Sequence, residues 1–191
     1  MLKFEKVAKF KDVEFNMPVR KTAGSAGYDM VVAEDTVIPP YNLQMARFDY
    51  MLIRDIFPTN PVPVKETQEP AYTLEDIATI TKASKAKPTL VSTGVKAYMP
   101  KDMYLELSVR SSCPLKYWLL MANSVGIIDS DYADNPDNEG EIFFQLINLS
   151  TVPILLKKGD VIGQGIFKRY EKTCDDSSDG ERVGGFGSTS V

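Results

Sequence analysis

Along most of the chain the apolar residues come in short alternating or β-branched stretches rather than at helical spacing. Val31-Val32, Val37-Ile38, Leu90-Val91, Tyr104–Val109, Ile127-Ile128, Ile142–Leu149, Ile154–Leu156 and Val161–Phe167 predict strands. Pro39-Pro40, Met99-Pro100-Lys101-Asp102, Asn135-Pro136-Asp137 and Lys158-Gly159-Asp160 punctuate them as turns. Many short strands at this spacing predict an all-β sandwich, jelly roll or barrel.

Two stretches depart from that pattern. In residues 114–121, Leu115, Trp118 and Leu119 fall at helical spacing. Ser111 or Ser112 can cap the segment and Pro114 suits a first turn, so one short helix is expected. Residues 43–87 read as an inserted module, with Pro58, Pro61, Pro63 and Pro70 marking an irregular middle. A short helix over Thr73–Lys85 would start at Thr73, with Asp76 three residues on and Leu74, Ile77 and Ala78 on its inner face. The expected organisation is one β core from residues 1–42 and 88–170, the insert 43–87, and a polar, Gly/Ser-rich arm over 171–191.

Composition narrows the chemistry. The 191 residues include no histidine, which removes Ser-His-Asp and Cys-His nucleophile systems and histidine-ligated zinc. An acid–base enzyme of this composition would use a carboxylate, or a Lys or Tyr with a shifted pKa. Cys113 and Cys174 form no CxxC pair, so neither a disulfide framework nor a structural zinc is expected, and a reducing cytoplasm is the simplest home. Residues 1–20 interleave charged and apolar residues unlike a signal peptide, and no apolar run approaches the ~20 residues of a membrane span. The net charge of −4 argues against a general nucleic-acid binder.

Four constellations carry candidate chemistry. Arg110-Ser111-Ser112 follows a strand and opens the short helix, where backbone N–H groups, an arginine fork and two hydroxyls suit a polyphosphate; an ordinary cap with a solvated arginine is the equal alternative. Asp129 follows Ile127-Ile128 at a strand end, where partial desolvation would raise its pKa and make it a candidate base; a turn over Asp129-Ser130-Asp131 is the plainer alternative. Gly184-Gly185-Phe186-Gly187-Ser188-Thr189 lets backbone approach a phosphate while Phe186 stacks on a base, or it is a loose tail. Asp29, in Ala26-Gly27-Tyr28-Asp29 ahead of a strand, can hold a divalent metal through water, or is a polar turn.

Taken with Gly163-Gln164, these segments resemble, in order, the five motifs of the trimeric dUTP diphosphatases (dUTPases). Ala26–Met30 is similar to the first, Arg110–Ser112 to the second, Gly126–Tyr132 to the third, Val161–Gln164 to the fourth and Arg182–Ser190 to the fifth. The resemblance is to the form of phages and Gram-positive bacteria and covers roughly residues 3–42 and 89–191. It implies a β-clip or distorted jelly-roll subunit, a homotrimer with shared active sites, and magnesium-assisted hydrolysis of dUTP to dUMP and pyrophosphate in the cytoplasm, the host's if the chain is phage-encoded. It implies no nucleic-acid or membrane partner.

By the same resemblance Asp129 is the general base for water attack on the α-phosphorus. Tyr132 packs on deoxyribose, Asn123 with the backbone of Gly126 to Ile128 reads uracil, and Arg110, Ser111, Ser112 and Gln164 hold phosphates or ordered water. Phe186 covers the base while Arg182, Gly187, Ser188 and Thr189 close over the triphosphate, and Asp29 orients magnesium-bound water. The chain departs from the family pattern at Val161, where arginine is usual, at Gly163, where alanine is usual, at Ser190, where glycine is usual, and in the long turn 133–140.

Two rivals stand beside this reading. A dCTP deaminase of the same fold would need a glutamate on the strand after the third motif, where this chain places Gln145. A regulatory protein would dock a protein partner through 43–87, using Phe48, Tyr50, Phe57 and Tyr72.

Overall fold

The computed structural model describes residues 1–41, 87–180, 182, 184 and 185. The helix expected over Thr73–Lys85, and the rest of 43–87 apart from Lys87, lie outside them, as do Phe186, Gly187, Ser188 and Thr189.

Eleven strands form in the described residues: β1 (Lys3–Lys6), β2 (Tyr28–Val31), β3 (Thr36–Ile38), β4 (Thr89–Ser92), β5 (Val95–Tyr98), β6 (Met103–Val109), β7 (Leu119–Met121), β8 (Gly126–Asp129), β9 (Phe143–Asn148), β10 (Ile154–Leu156) and β11 (Val161–Arg169). A four-stranded sheet runs β2-β11-β6-β8 and a three-stranded sheet runs β4-β9-β7. Two ribbons, β1-β5 and β3-β10, complete the set. Every pairing between these strands is antiparallel.

Alternation drives the layering. Met103, Leu105 and Leu107 of β6 are buried while Tyr104, Glu106 and Ser108 between them are partly exposed. In β9 the buried set is Phe144, Leu146 and Asn148. Leu105 and Leu107 from one sheet meet Val91, Leu119, Phe144 and Leu146 from the other in a single apolar core. This is the all-β, jelly-roll-like architecture expected, with one short helix.

The helix differs from its expectation. It is α1 (Ser112–Tyr117), and Trp118 ends it in the left-handed region at φ 54°. Leu119 then enters β7, whose alternation buries Leu119 and Met121 against β9. The helical face expected from Leu115, Trp118 and Leu119 therefore does not form: Leu115 and Trp118 are exposed within the chain. Asp29 also lies inside β2, paired with Gln164, rather than in a turn ahead of it. β1, β5 and β7 are additional to the strands expected from the sequence.

Candidate active site

The four-stranded sheet carries two groups of candidate residues on its partly exposed side. Register creates the first. Asp29 of β2 stands opposite Gln164 of β11, and Gln164 stands opposite Ser108 of β6, so the three share one row across the sheet. Val109 ends β6 one residue later, and Arg110, Ser111 and Ser112 follow as the chain turns into α1. The Arg110 N–H donates to the Ile162 carbonyl at 3.0 Å, fixing the turn against β11. First, second and fourth motifs thus gather at one end of the sheet.

Two close approaches shape that end. The Gln164 amide fills the space that a side chain at Gly27 would need. A Cβ at Gly163 would run into the Phe144 ring and the Ser108 carbonyl, so the close packing here needs a glycine. Ser111 stands at the N-cap of α1, one of the two positions expected, but makes no side-chain cap hydrogen bond. Arg110 and Asp29 make no ion pair among the described residues.

The second group sits at the other end. Asp129, the last residue of β8, pairs with Tyr104 near the start of β6. From Tyr104 to Arg110 the chain advances six positions along β6, which at ~3.3 Å per residue is about 20 Å. Asp129 is not desolvated as the sequence suggested: its side chain is 53 % exposed and its partner is a cation. The Arg182 guanidinium donates from Nη2 to Asp129 at 2.5 Å and from Nε to Asp131 at 2.8 Å. Its centre lies 5.7 Å from the Tyr132 ring centroid. Partial burial works against the charge on Arg182, but its bonds to Asp131 and Asp129 outweigh this and raise its pKa above the ordinary value.

Tyr132 is buried, and its hydroxyl donates to the Glu141 carbonyl at 3.1 Å and accepts from Asn138 Nδ2 at 2.7 Å. Burial pushes its pKa up despite the Asn138 bond. The turn 133–140 is stiffened by Asn135, which is 5 % exposed. Asn135 Nδ2 donates to the Tyr132 carbonyl at 2.8 Å, and its Oδ1 accepts the Asp137 N–H at 3.1 Å. Lys96 of β5 anchors the turn from below by donating to Asp134 and, at 2.8 Å, to Glu139. Glu141 is buried too; Ser92 Oγ and the Gly94 backbone donate to its carboxyl, but burial outweighs them and pushes its pKa up.

Asn123, Gly126 and Ile128 lie on the β7–β8 connection and on β8 itself, between the two ends. Arg182 stands on the Asp129 and Asp131 carboxylates. Two residues at the Asp129 end had not been singled out as site residues, Asp131 and Asp137. Their signal in the sequence was the acid-rich run after Ile128, which reads as turn chemistry until Arg182 is brought against it.

Relatives and solved structures agree on one family. The dUTPase family model matches residues 73–190. The deoxyuridine 5′-triphosphate nucleotidohydrolase of Lactococcus lactis is 33 % identical over 188 residues, covering 97 % of this chain and 95 % of the relative. The crystal structure of dUTPase from Streptococcus mutans superposes with a TM-score of 0.62 at 32 % identity, covering 89 % of this chain and 97 % of that one. The dUTPase from phage phi11 of S. aureus shares the fold at a TM-score of 0.55 and 15 % identity, over 98 % and 99 % of the two chains. A chain matched by the family model over more than half its length, and by a relative over nearly all of it, belongs to the dUTPase family.

Proposed function

We propose that the protein hydrolyses dUTP to dUMP and pyrophosphate in sites shared between copies of the chain. One observation carries the sharing: within one chain the phosphate-holding end, at Arg110–Ser112 and Gln164, lies about 20 Å along the sheet from Asp129. A base that far from the phosphates cannot serve them, so the phosphate end of one copy meets the Asp129 end of another. A closed ring of three, as the resemblance implies, repeats that contact without open ends.

In this reading Asn123 and the backbone from Gly126 to Ile128 read the uracil edge, and Tyr132 packs on deoxyribose where a 2′-hydroxyl would clash. Arg110, Ser111, Ser112 and Gln164 hold the phosphates. The Asp129 carboxylate takes a proton from water as its oxygen bonds to the α-phosphorus, and pyrophosphate departs with the electrons of the broken P–O bond. Asp29 suits magnesium: a half-buried carboxylate with no ion pair among the described residues, beside phosphate oxygens, is the sparse oxygen donor set this ion takes. Magnesium bound there would neutralise and orient the phosphates. The cytoplasm, the host's for a phage-encoded chain, is the fitting compartment.

The test is a panel of dUTP, dCTP, dTTP and UTP with magnesium, scored for pyrophosphate and by product chromatography. dUMP and pyrophosphate are expected from dUTP alone. A uracil-containing product from dCTP would assign the deaminase chemistry instead, despite Gln145 on β9.

A further inference from the structure

We infer that Asn138 is a positioning residue that fixes the Tyr132 ring and so sets how strictly the site rejects a ribonucleotide. The inference rests on the proposed function for the role of that ring against the sugar; the geometry around the hydroxyl is a separate observation. Tyr132 is held at both ends. Its N–H donates to the Asp129 carbonyl at 3.1 Å, and its own carbonyl accepts from Asn135 Nδ2 at 2.8 Å. At the far end of the ring the hydroxyl donates to the Glu141 carbonyl at 3.1 Å and accepts from Asn138 Nδ2 at 2.7 Å. A hydroxyl donates and accepts in different directions, so the Asn138 bond stops the swing that the Glu141 bond alone would leave.

Asn138 is itself fixed. Its Oδ1 accepts from Asn135 Nδ2 at 2.7 Å and from the Gly140 N–H at 3.1 Å. Both partners are donors, so the amide cannot turn over, and Nδ2 must face the hydroxyl. Its N–H donates to Asn135 Oδ1 at 3.3 Å, and its carbonyl accepts the Glu141 N–H at 3.0 Å. The turn also closes tightly on Tyr132. Gly140 has φ +80°, and a Cβ there would press on the Ala133 Cα and the Tyr132 carbonyl, so only glycine allows this return. Buried Lys96 holds the turn from β5 through Asp134 and Glu139. The long turn 133–140 therefore has a use, since it carries an amide donor to the hydroxyl of the third-motif tyrosine.

A ring packed on deoxyribose excludes a 2′-hydroxyl only as firmly as the ring is held. Cutting the Asn138 bond lets the ring yield to the extra oxygen. That costs ribonucleotide rejection more than it costs hydrolysis of dUTP, because Asn138 touches no reacting atom.

The test is steady-state hydrolysis of dUTP by the full-length protein with magnesium, in the presence of UTP as competing inhibitor. The readout is the ratio of the UTP inhibition constant to the KM for dUTP. Asn138→Ala is expected to lower that ratio about fivefold, the fold-change that loss of one ordinary hydrogen bond gives, with kcat for dUTP within about twofold of wild type. If that variant does not fold, Asn138→Asp keeps the acceptor for Asn135 and Gly140 and removes only the donor. The single hydroxyl proton then serves one acceptor, the ring again has one partner, and the same fall is expected. Tyr132→Phe should lower the ratio as well, and combining it with the Asn138 variant should add little further. A ratio that stays at the wild-type value in a folded Asn138 variant overturns the inference. So do fully additive losses, which would mean that Asn138 acts by a route other than the hydroxyl. A wild type that releases no pyrophosphate from dUTP sinks the proposed activity and the inference together, whereas an active wild type with unmoved variants overturns the inference alone.

Discussion

The two ends of the four-stranded sheet are built in opposite ways. The Asp29–Gln164–Ser108 row draws on residues far apart in the chain, aligned by strand register and held by apolar packing beneath. The Asp129 end comes from one short stretch, 129–141, plus the arm, and is held by hydrogen bonds and ion pairs. The first end leaves a guanidinium and two hydroxyls for anions, while the second concentrates carboxylates and covers them with its own arginine. Under the proposed function neither end is a site alone, and their opposite charge and separation fit each to be the counterpart of the other on a second copy.

The largest expected effect isolates the Asp129 end. Asp129→Asn should keep nucleotide binding by calorimetry yet cut pyrophosphate release by roughly 10²–10⁴, the usual loss for a general base. Turnover near wild type would remove Asp129 from the role. At the other end, Arg110→Ala should lower kcat/KM by about 10²–10³, as loss of a charged donor at a developing anion does. Mixing these two inactive variants under subunit exchange tests whether the ends belong to different copies. Random assembly then restores about a quarter of the sites, whereas mixtures that stay dead would place both ends in one chain's site.

Smaller effects probe how each end is held. Gly163→Ala presses a methyl on Phe144 and should cost about 1–3 kcal/mol in denaturant unfolding, with Phe144→Leu in the same chain recovering part of it. The Asp129 end answers to polar groups instead. Glu141 has its folded pKa raised above the ordinary 4.5, so it opposes folding wherever the unfolded chain ionises it. Its penalty is absent well below pH 4.5 and grows as pH rises through the range between the unfolded and folded values. Glu141→Gln should therefore melt higher than wild type at pH 7, with the gap closing as the solution is acidified. A gap that does not change with pH would mean that packing, not ionisation, sets the difference.

Most strands were legible because their apolar residues alternate over four to nine positions, as in β6, β9 and β11. The misreading at 114–121 has a physical cause. Leu115, Trp118 and Leu119 satisfy helical spacing, but a residue in the left-handed region at Trp118 stops the helix and gives Leu119 to a sheet. Short apolar runs fit both periods, and only pairing with β9 decides between them. Asp129 was found from its place after Ile127-Ile128, but not its environment. Arg182, 53 positions further along the chain, supplies the countercharge, and no local pattern reports a contact of that range.

By itself the sequence determined the class of chemistry: no histidine, one carboxylate after an apolar strand, an arginine with two serines, and a motif order specific to one family. These are properties of residue type and order, which a linear reading contains in full. Tertiary structure decided which of them meet. Antiparallel register put Asp29, Gln164 and Ser108 in one row and left Asp129 at the far end of the same sheet. It also lent Asp137 a partner in Gly185. Register and arm docking are set by which side chains the core buries and which hydrogen bonds a folded loop can offer, and both exist only once distant segments have packed.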